Sequence, residues 1–155
     1  MSVLGSQAAA FKDAFYGVAV TLFAADPKVL VSFGHPGTQY SDDMILFLNV
    51  SAQQQIATMS TTNRSREETL TLDIFISSFR NGETDNDKAP SDRVYALLDA
   101  LSNYVRKTDT TLGGVVRESY LTSHQSAGST DQAVLGRGRM VDCVAQFTAI
   151  ARITN

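Results

Sequence analysis

The residues with the clearest chemical potential lie in a turn near position 35. His35 sits in a Gly-His-Pro-Gly segment, and Asp42 and Asp43 follow shortly after it. Imidazole and carboxylate groups can bind metals or move protons. Their spacing, however, matches no known ligand pattern, which favours a solvated turn histidine. The alternative, that these three residues form the site of a small enzyme or ligand-binding domain, stays open.

Three further segments resemble chemical sites only in part. Asp85-Asn86-Asp87 suggests a calcium loop but lacks the glycine and the distant glutamate of such loops. Gly136-Arg137-Gly138 suggests a phosphate cradle, but no helix is predicted to follow it. Cys143 lies on the apolar side of an alternating run, as a small core residue would. We therefore predict no catalytic, cofactor-binding or metal-binding residue, and no enzymatic activity.

The central element that must position the rest is a predicted helix beginning at Pro90-Ser91. Its apolar residues recur at steps of three and four and define one buried stripe: Val94, Leu97, Leu98, Leu101 and Tyr104. Asp92 is expected in the first turn and Arg106 and Lys107 in the last, an order that complements the helix dipole. The paired glycines at 113 and 114 predict a sharp stop, followed by a strand over 115–122.

Periodicity predicts the other elements. A first helix starts near Ala8, and its second half is apolar almost all round, which indicates either burial or a partial strand; Asp26-Pro27 is expected to end it. Four strands are predicted in the first half of the chain, over 29–33, 44–50, 54–61 and 69–79.

The chain closes on its longest alternating run, a half-buried strand over 141–153. With no internal repeat and no linker-like composition, residues 1–155 read as one domain. The predicted fold class is α+β, a mostly antiparallel β-sheet with two helices packed on one face and long loops.

Composition excludes several functional classes. The chain has 155 residues and a net charge of −3, without a dense block of Lys and Arg, which argues against a nucleic-acid surface. No stretch is long and apolar enough to span a membrane, and the amino end lacks the basic cluster of a secretion signal. The lone Cys143 allows no internal disulfide, which fits a reducing compartment.

The predicted loops are long for a small domain and suggest an interaction role. They cover 62–68, 80–89 and 123–138, and their chemistry is polar and mixed in sign. We expect them to lie at interfaces, with these charged residues as candidate contacts: Arg64, Arg66, Glu83, Asp85, Asp87, Arg137 and Arg139. The alternative is that they are plain flexible loops. The polar strand predicted over 54–61 fits an edge that pairs with another chain or lines an aqueous channel.

The order of these elements resembles the tail terminator proteins of long-tailed bacteriophages. The resemblance rests on the Val94-x-x-Leu97-Leu98-x-x-Leu101 helix, on Leu112-Gly113-Gly114-Val115-Val116, and on the closing strand from Gln146 to Arg152. It covers the second half of the chain in detail and the first half only in element order. It implies an α+β subunit of a virion, assembled in the host cytoplasm into a hexameric ring.

Such a ring caps the head-proximal end of the tail tube, stops tube polymerisation and joins the tail to head-completion proteins. The resemblance thus implies three protein partners: further copies of this chain, a tail tube protein and a head-completion or head-closure protein. DNA would be met only as it passes through the lumen, and no membrane is involved. No cofactor and no catalytic residue is implied. A different neck protein, such as a head-closure protein, or a polymerising tube protein is the alternative.

Overall fold

The computed structural model describes residues 5–39, 41–56, 65–81, 87–126 and 138–153. In chain order the elements are α1 (Ala8–Leu22), β1 (Val29–Phe33), β2 (Asp43–Ile56), β3 (Arg66–Asn81), α2 (Lys88–Asn103), a π-helical turn (Tyr104–Thr108), β4 (Glu118–Ser126) and β5 (Gly138–Ile153). The strands form one sheet in the order β1-β2-β3-β5-β4. Only the β1–β2 pair is parallel; the other three are antiparallel. The predicted α+β class is confirmed.

Both helices pack on the same face of this sheet. Alternate residues of β3 are fully buried there, from Leu70 through Leu72 and Ile74 to Ile76. They share one core cluster with Phe11 and Phe15 of α1 and with the predicted stripe of α2, of which Val94, Leu97, Leu98 and Leu101 are buried and Tyr104 is packed at the margin. Phe15 links the two halves, because its ring lies 5.7 Å from Phe47 of β2 and 4.9 Å from Phe147 of β5.

The alternating pattern of the last strand is confirmed. Its predicted inward residues are all buried, and β5 pairs along its whole length with β3, from Asn81 opposite Gly138 to Arg66 opposite Ile153. This strand is longer than the common five or six residues, and it pairs along its whole length with β3 on one side and from Cys143 to Ile150 with β4 on the other. The sheet therefore has β3 and β5 as its rigid centre.

The predictions for both helices need correction. The second half of α1 is a regular helix, but it is neither strand nor fully buried: Val20 is 43% exposed and Leu22 38% exposed. The helix also ends at Leu22, before Asp26-Pro27. The second helix begins at Lys88, so Asp92 lies beyond its first turn, where it pairs with Lys88 at 2.6 Å instead of complementing the dipole.

The strand count in the first half of the chain was also wrong. The predicted strands at 44–50 and 54–61 are one element, β2, which contains an irregularity between Phe47 and Val50 and then pairs with β3 as far as Ile56. A local bulge interrupts the hydrophobic pattern without turning the chain. The remainder of the predicted 54–61 strand, residues 57–61, lies outside the described residues.

The glycine hinge behaves as predicted, but the strand after it starts later. Leu112, Gly113 and Gly114 take φ angles of 51°, 75° and 89°, and the glycines adopt these left-handed conformations without steric cost. The Asp109 carboxylate holds the turn by accepting the N–H groups of Thr111 at 3.1 Å and Gly113 at 2.8 Å. Strand β4 then begins at Glu118, three residues after the predicted start.

Candidate assembly interface

Strand β2 carries an unpaired edge for half of its length. Its neighbour β1 pairs only with Asp43–Phe47 and stops at Phe33, while β2 continues to Ile56. Within the described part of the chain, no strand pairs with the outer side of β2 beyond this point. We call the segment from Val50 to Ile56 the β2 edge. Its residues from Ser51 onward are all exposed, and the apolar Ile56 is 59% exposed.

The β2 edge lacks the lysine, proline and inward charges that protect many edge strands, although the irregularity between Phe47 and Val50 directly precedes it. Natural edge strands are blunted by lysine, proline or inward charges, because open N–H and C=O groups recruit other strands. From Met44 to Ile56 the sequence contains no charged residue and no proline, and three successive glutamines occupy its end. The sequence predicted that this polar segment lies at a sheet edge, and Gln54, Gln55 and Ile56 do lie there. They are the end of β2, however, and not part of a separate strand.

The opposite end of the sheet is also open, over a shorter length. The outer side of β4 is closed at Ser119, where the Thr110 hydroxyl accepts the Ser119 N–H at 3.1 Å and the Ser119 hydroxyl donates to the Thr110 carbonyl at 2.8 Å. Beyond this contact no described strand covers the outer side of β4. We call Tyr120 to Gln125 the β4 edge. It too is free of charged residues, and all of it except Leu121 is exposed.

The charged residues predicted at interfaces fall into three groups. Arg64, Glu83, Asp85 and Arg137 lie outside the described residues. Arg66 is the first residue of β3, opposite Ile56 in the register, and its guanidinium lies 3.4 Å from the Gln54 amide oxygen at the end of the β2 edge. Asp87 and Arg139 face each other within one chain at 3.9 Å, so the expected attraction between the acidic 80–89 and cationic 123–138 segments operates inside the subunit for this pair.

Parts of the three predicted loops belong to regular elements in the structure. Residues 66–68 belong to β3, residues 80 and 81 to β3, residues 88 and 89 to α2, and residues 123–126 to β4. The rest of the three loops, apart from Ser65, Asp87 and Gly138 at their margins, lies outside the described residues.

Glu68 is the largest departure from the predicted charged hairpin tip. It is fully buried, accepts the backbone N–H of Gln7 at 2.7 Å through one oxygen and accepts the Gln54 side-chain amide at 2.9 Å through the other. Gln7 directly precedes α1, so this carboxylate lies at the positive end of the helix dipole. The sequence did contain a signal, because Glu68 is in phase with the buried Leu70 and Leu72.

Asp43 belongs to an ion-pair cluster instead of a site with His35. Its own side chain is buried, whereas those of Arg80, Arg93 and Asp26 are 31–36% exposed. The Asp43 carboxylate accepts Ser78 at 2.7 Å, Arg80 at 2.9 Å and Arg93 at 2.9 Å, and Arg93 also reaches Asp26 at 2.5 Å. Burial alone would raise the pKa of Asp43, but hydrogen bonds from Arg80, Ser78 and Arg93 outweigh it and leave the pKa lowered. No sequence signal marked this cluster, since its members are separated by dozens of residues.

The remaining candidates show no catalytic arrangement. The Nδ1 atom of His35 accepts the Gly37 N–H at 2.9 Å, as an exposed turn residue does. Asp42 borders an open cleft of about 520 Å³ with Lys28 and Arg80. Burial raises the pKa of the Cys143 thiol, which keeps it protonated and weakly nucleophilic. Among the described residues, no three His, Cys, Asp or Glu side chains are placed to hold a metal ion.

Neither helix in the described part of the chain has the length and apolar character that a membrane span requires.

Comparisons with known proteins give a likeness to solved structures and none to a family model. No family model matches the chain, and no curated protein matches it. Among solved structures that match is the PVC sheath/tube terminator of an extracellular contractile injection system, in its extended state, with 12% sequence identity and a TM-score of 0.41. The likeness covers 91% of this chain and 56% of that protein, so the chain spans little more than half the length of this neighbour.

Proposed function

We propose that this protein is a structural subunit of a phage tail, which assembles into a ring at the head-proximal end of the tail tube and ends tube growth. The ring is proposed to be a hexamer, as the resemblance of residues 94–116 and 146–152 to tail terminators implies. Its partners are further copies of itself, the tail tube protein and a head-completion protein. It assembles in the host cytoplasm and remains in the virion.

The observation that carries an assembly role is the uncharged β2 edge. It has no partner on its outer side among the described strands, and its last six residues, Ser51 to Ile56, are exposed. A monomeric protein gains nothing from such an edge and risks uncontrolled pairing. A subunit that meets identical copies and a tube uses it, because main-chain hydrogen bonds across strands provide affinity without a deep pocket.

The polar character of the candidate surface supports reversible, ordered assembly. Side chains such as Gln53, Gln55 and Ser123 hydrogen-bond to water in the free subunit and can hydrogen-bond across an interface in the ring. The charged end of β3 at Arg66 adjoins this surface and can contribute to the same contact. Arg64, Glu83, Asp85, Asp87, Arg137 and Arg139 remain proposed interface residues at the tube or head side.

Light scattering of the purified protein at micromolar concentration, with and without assembled tail tubes, tests this function. We expect a ring-sized oligomer in at least one of the two conditions, and tubes that stop growing when the protein is added during tube growth. A protein that remains monomeric even with tubes present contradicts the proposal. Open-ended filaments formed by the protein alone would instead indicate a tube protein.

A further inference from the structure

The two open edges have the directions that continuous pairing between copies requires. β2 runs antiparallel to β3, β3 antiparallel to β5, and β5 antiparallel to β4. The β2 edge and the β4 edge, at opposite ends of the sheet, therefore point in opposite directions. The β4 edge is offset along the strands from the β2 edge, because across the sheet Tyr120 lies level with Ser51 and Gln125 lies level with Leu46. A second copy placed by a rotation about an axis tilted from the strands by roughly 35–45°, the tilt of strands in closed barrels, shifts its β4 along β2 of the first copy and keeps the two strands antiparallel.

We propose that the β4 edge of one copy pairs, as an antiparallel strand, with the β2 edge of the next copy. This inference rests on the proposed ring function and names its subunit contact. With a shift of about five residues along the strands, the incoming strand occupies the row beyond Phe33 of β1, and Tyr120 to Gln125 lie beside Val50 to Ile56. At about 3.3 Å per residue, both segments span roughly 20 Å and match in length.

Side-chain chemistry on both edges is compatible with this pairing. Neither segment carries a charge, so no like-charge pair opposes the contact, whichever residues lie opposite each other. On the sheet face away from the helices, the β2 edge presents Ser51, Gln53 and Gln55, and the β4 edge presents Tyr120, Ser123 and Gln125. Hydroxyl and amide groups of these types form cross-strand hydrogen bonds.

The alternative pairings predict a different symmetry. Pairing of β2 with β2, or of β4 with β4, produces a two-fold dimer and leaves the other edge open. Pairing of β2 with β4 is head-to-tail, so every copy uses both edges and the contact repeats until the ring closes. It also keeps the helices of all copies on the same side of the shared sheet, since the same rotation relates each copy to the next.

Disulfide trapping between variants that each carry one introduced cysteine distinguishes these arrangements. One set carries Ser51→Cys, Gln53→Cys or Gln55→Cys, and the other carries Tyr120→Cys, Ser123→Cys or Gln125→Cys. The native Cys143 is 1% exposed and serves as an unreactive background. Each β2 variant is mixed with each β4 variant, allowed to assemble, oxidised with glutathione disulfide and separated without reductant. Disulfides form only where Cβ atoms come within about 4.5 Å.

We expect covalent dimers to predominate in a subset of the mixed pairs, and the reactive β4 position to move toward lower numbers as the β2 position moves toward higher ones. That order is the signature of antiparallel pairing. Ala52→Cys provides the matched control, because it is exposed on the same edge but points to the opposite face of the sheet. When it is mixed with any of the β4 variants, it should yield less than a tenth of the mixed dimer that the most reactive β2 variant yields.

The outcomes separate this contact from the function on which it rests. Ring-sized assemblies that show no β2–β4 disulfide, or only dimers between identical β2 variants, overturn the contact and leave the ring function standing. A rising order of reactive positions on both edges, which indicates parallel strands, overturns it as well. Variants and wild type that all stay monomeric with tubes present overturn both proposals.

Discussion

The two halves of β2 show how one strand can serve stability in one part and assembly in another. From Asp43 to Phe47 it pairs on both sides, and Ile45 and Phe47 are fully buried under α1. From Ser51 to Ile56 it pairs, among the described strands, on one side only, and these six residues are exposed. The two halves share a partner strand, a direction and an absence of charge beyond Asp43. They differ in that β1 and α1 contact the first half, whereas no described element contacts the outer side of the second half.

This difference separates two energetic roles. Burial of the first half removes apolar surface from water and stabilises the fold at about 25 cal/mol per Å². The second half contributes little of this kind, so it is free to bind another chain. Substitutions in the covered region should therefore change the free energy of unfolding, whereas substitutions on the β2 edge should change association. The following predictions test that division in order of their expected effect on stability.

The largest loss is expected for Leu98→Ala in the covered region. Leu98 is 1% exposed in the core cluster, and its truncation should lower the free energy of unfolding by about 2–5 kcal/mol because it leaves a cavity. Urea denaturation at constant pH measures the change. Asp99→Ala is the matched control on the exposed side of the same helix and should change stability by less than about 0.5 kcal/mol. Equal effects of the two variants would show that α2 does not anchor the sheet.

An intermediate loss is expected for Asp43→Asn, at the beginning of the covered half. The neutral amide weakens the charge-assisted bonds to Arg80 and Arg93, which should cost about 1.5–3 kcal/mol at pH 7. Because the folded pKa of Asp43 is lowered, its ionised form stabilises the wild type above the unfolded pKa of about 3.9, and this contribution is lost as pH falls through the folded pKa.

Urea denaturation at a series of pH values from 7 down to 2 measures this linkage. The difference in stability between wild type and Asp43→Asn should be largest at neutral pH and shrink in acid. Ser78→Ala serves as a control, because it removes one hydrogen bond to the same carboxylate without removing the charge. A stability difference that is independent of pH would show that the negative charge of Asp43 does not stabilise the folded protein through its ion pairs.

The sequence predicted most of the covered region and little of the interface, for a physical reason. The stripe from Val94 to Leu101 and the alternation from Val141 to Ile153 are local patterns set by 3.6- and two-residue periods. The grouping of Asp43 with Arg80 and Arg93, and the open side of β2, depend on which strands become neighbours. That depends on contacts between residues far apart in the chain, which no local period records.

Glu68 shows where a local pattern was present but outweighed by composition. Its alternation with Leu70 predicts burial, yet its position next to Arg66 and Glu67 favoured an exposed tip. The structure resolves the conflict through the N–H of Gln7 and the amide of Gln54, which satisfy the buried carboxylate from two directions. A buried charge of this kind is predictable only when its partners are known.

The smallest change in stability, and the sharpest test of the division, is expected for Gln53→Lys on the β2 edge. A lysine on an exposed edge places a hydrated charge where another strand would have to pair, as natural edges do to stay monomeric. Stability should change by less than about 0.5 kcal/mol, because the side chain is exposed. Sedimentation velocity should nevertheless show assembly reduced at least tenfold relative to wild type. Thr69→Lys is the matched control, since Thr69 lies directly opposite Gln53 on β3, is equally exposed and has strand partners on both sides. If Thr69→Lys weakens assembly as much as Gln53→Lys does, the face of the sheet and not its edge binds the neighbouring copy.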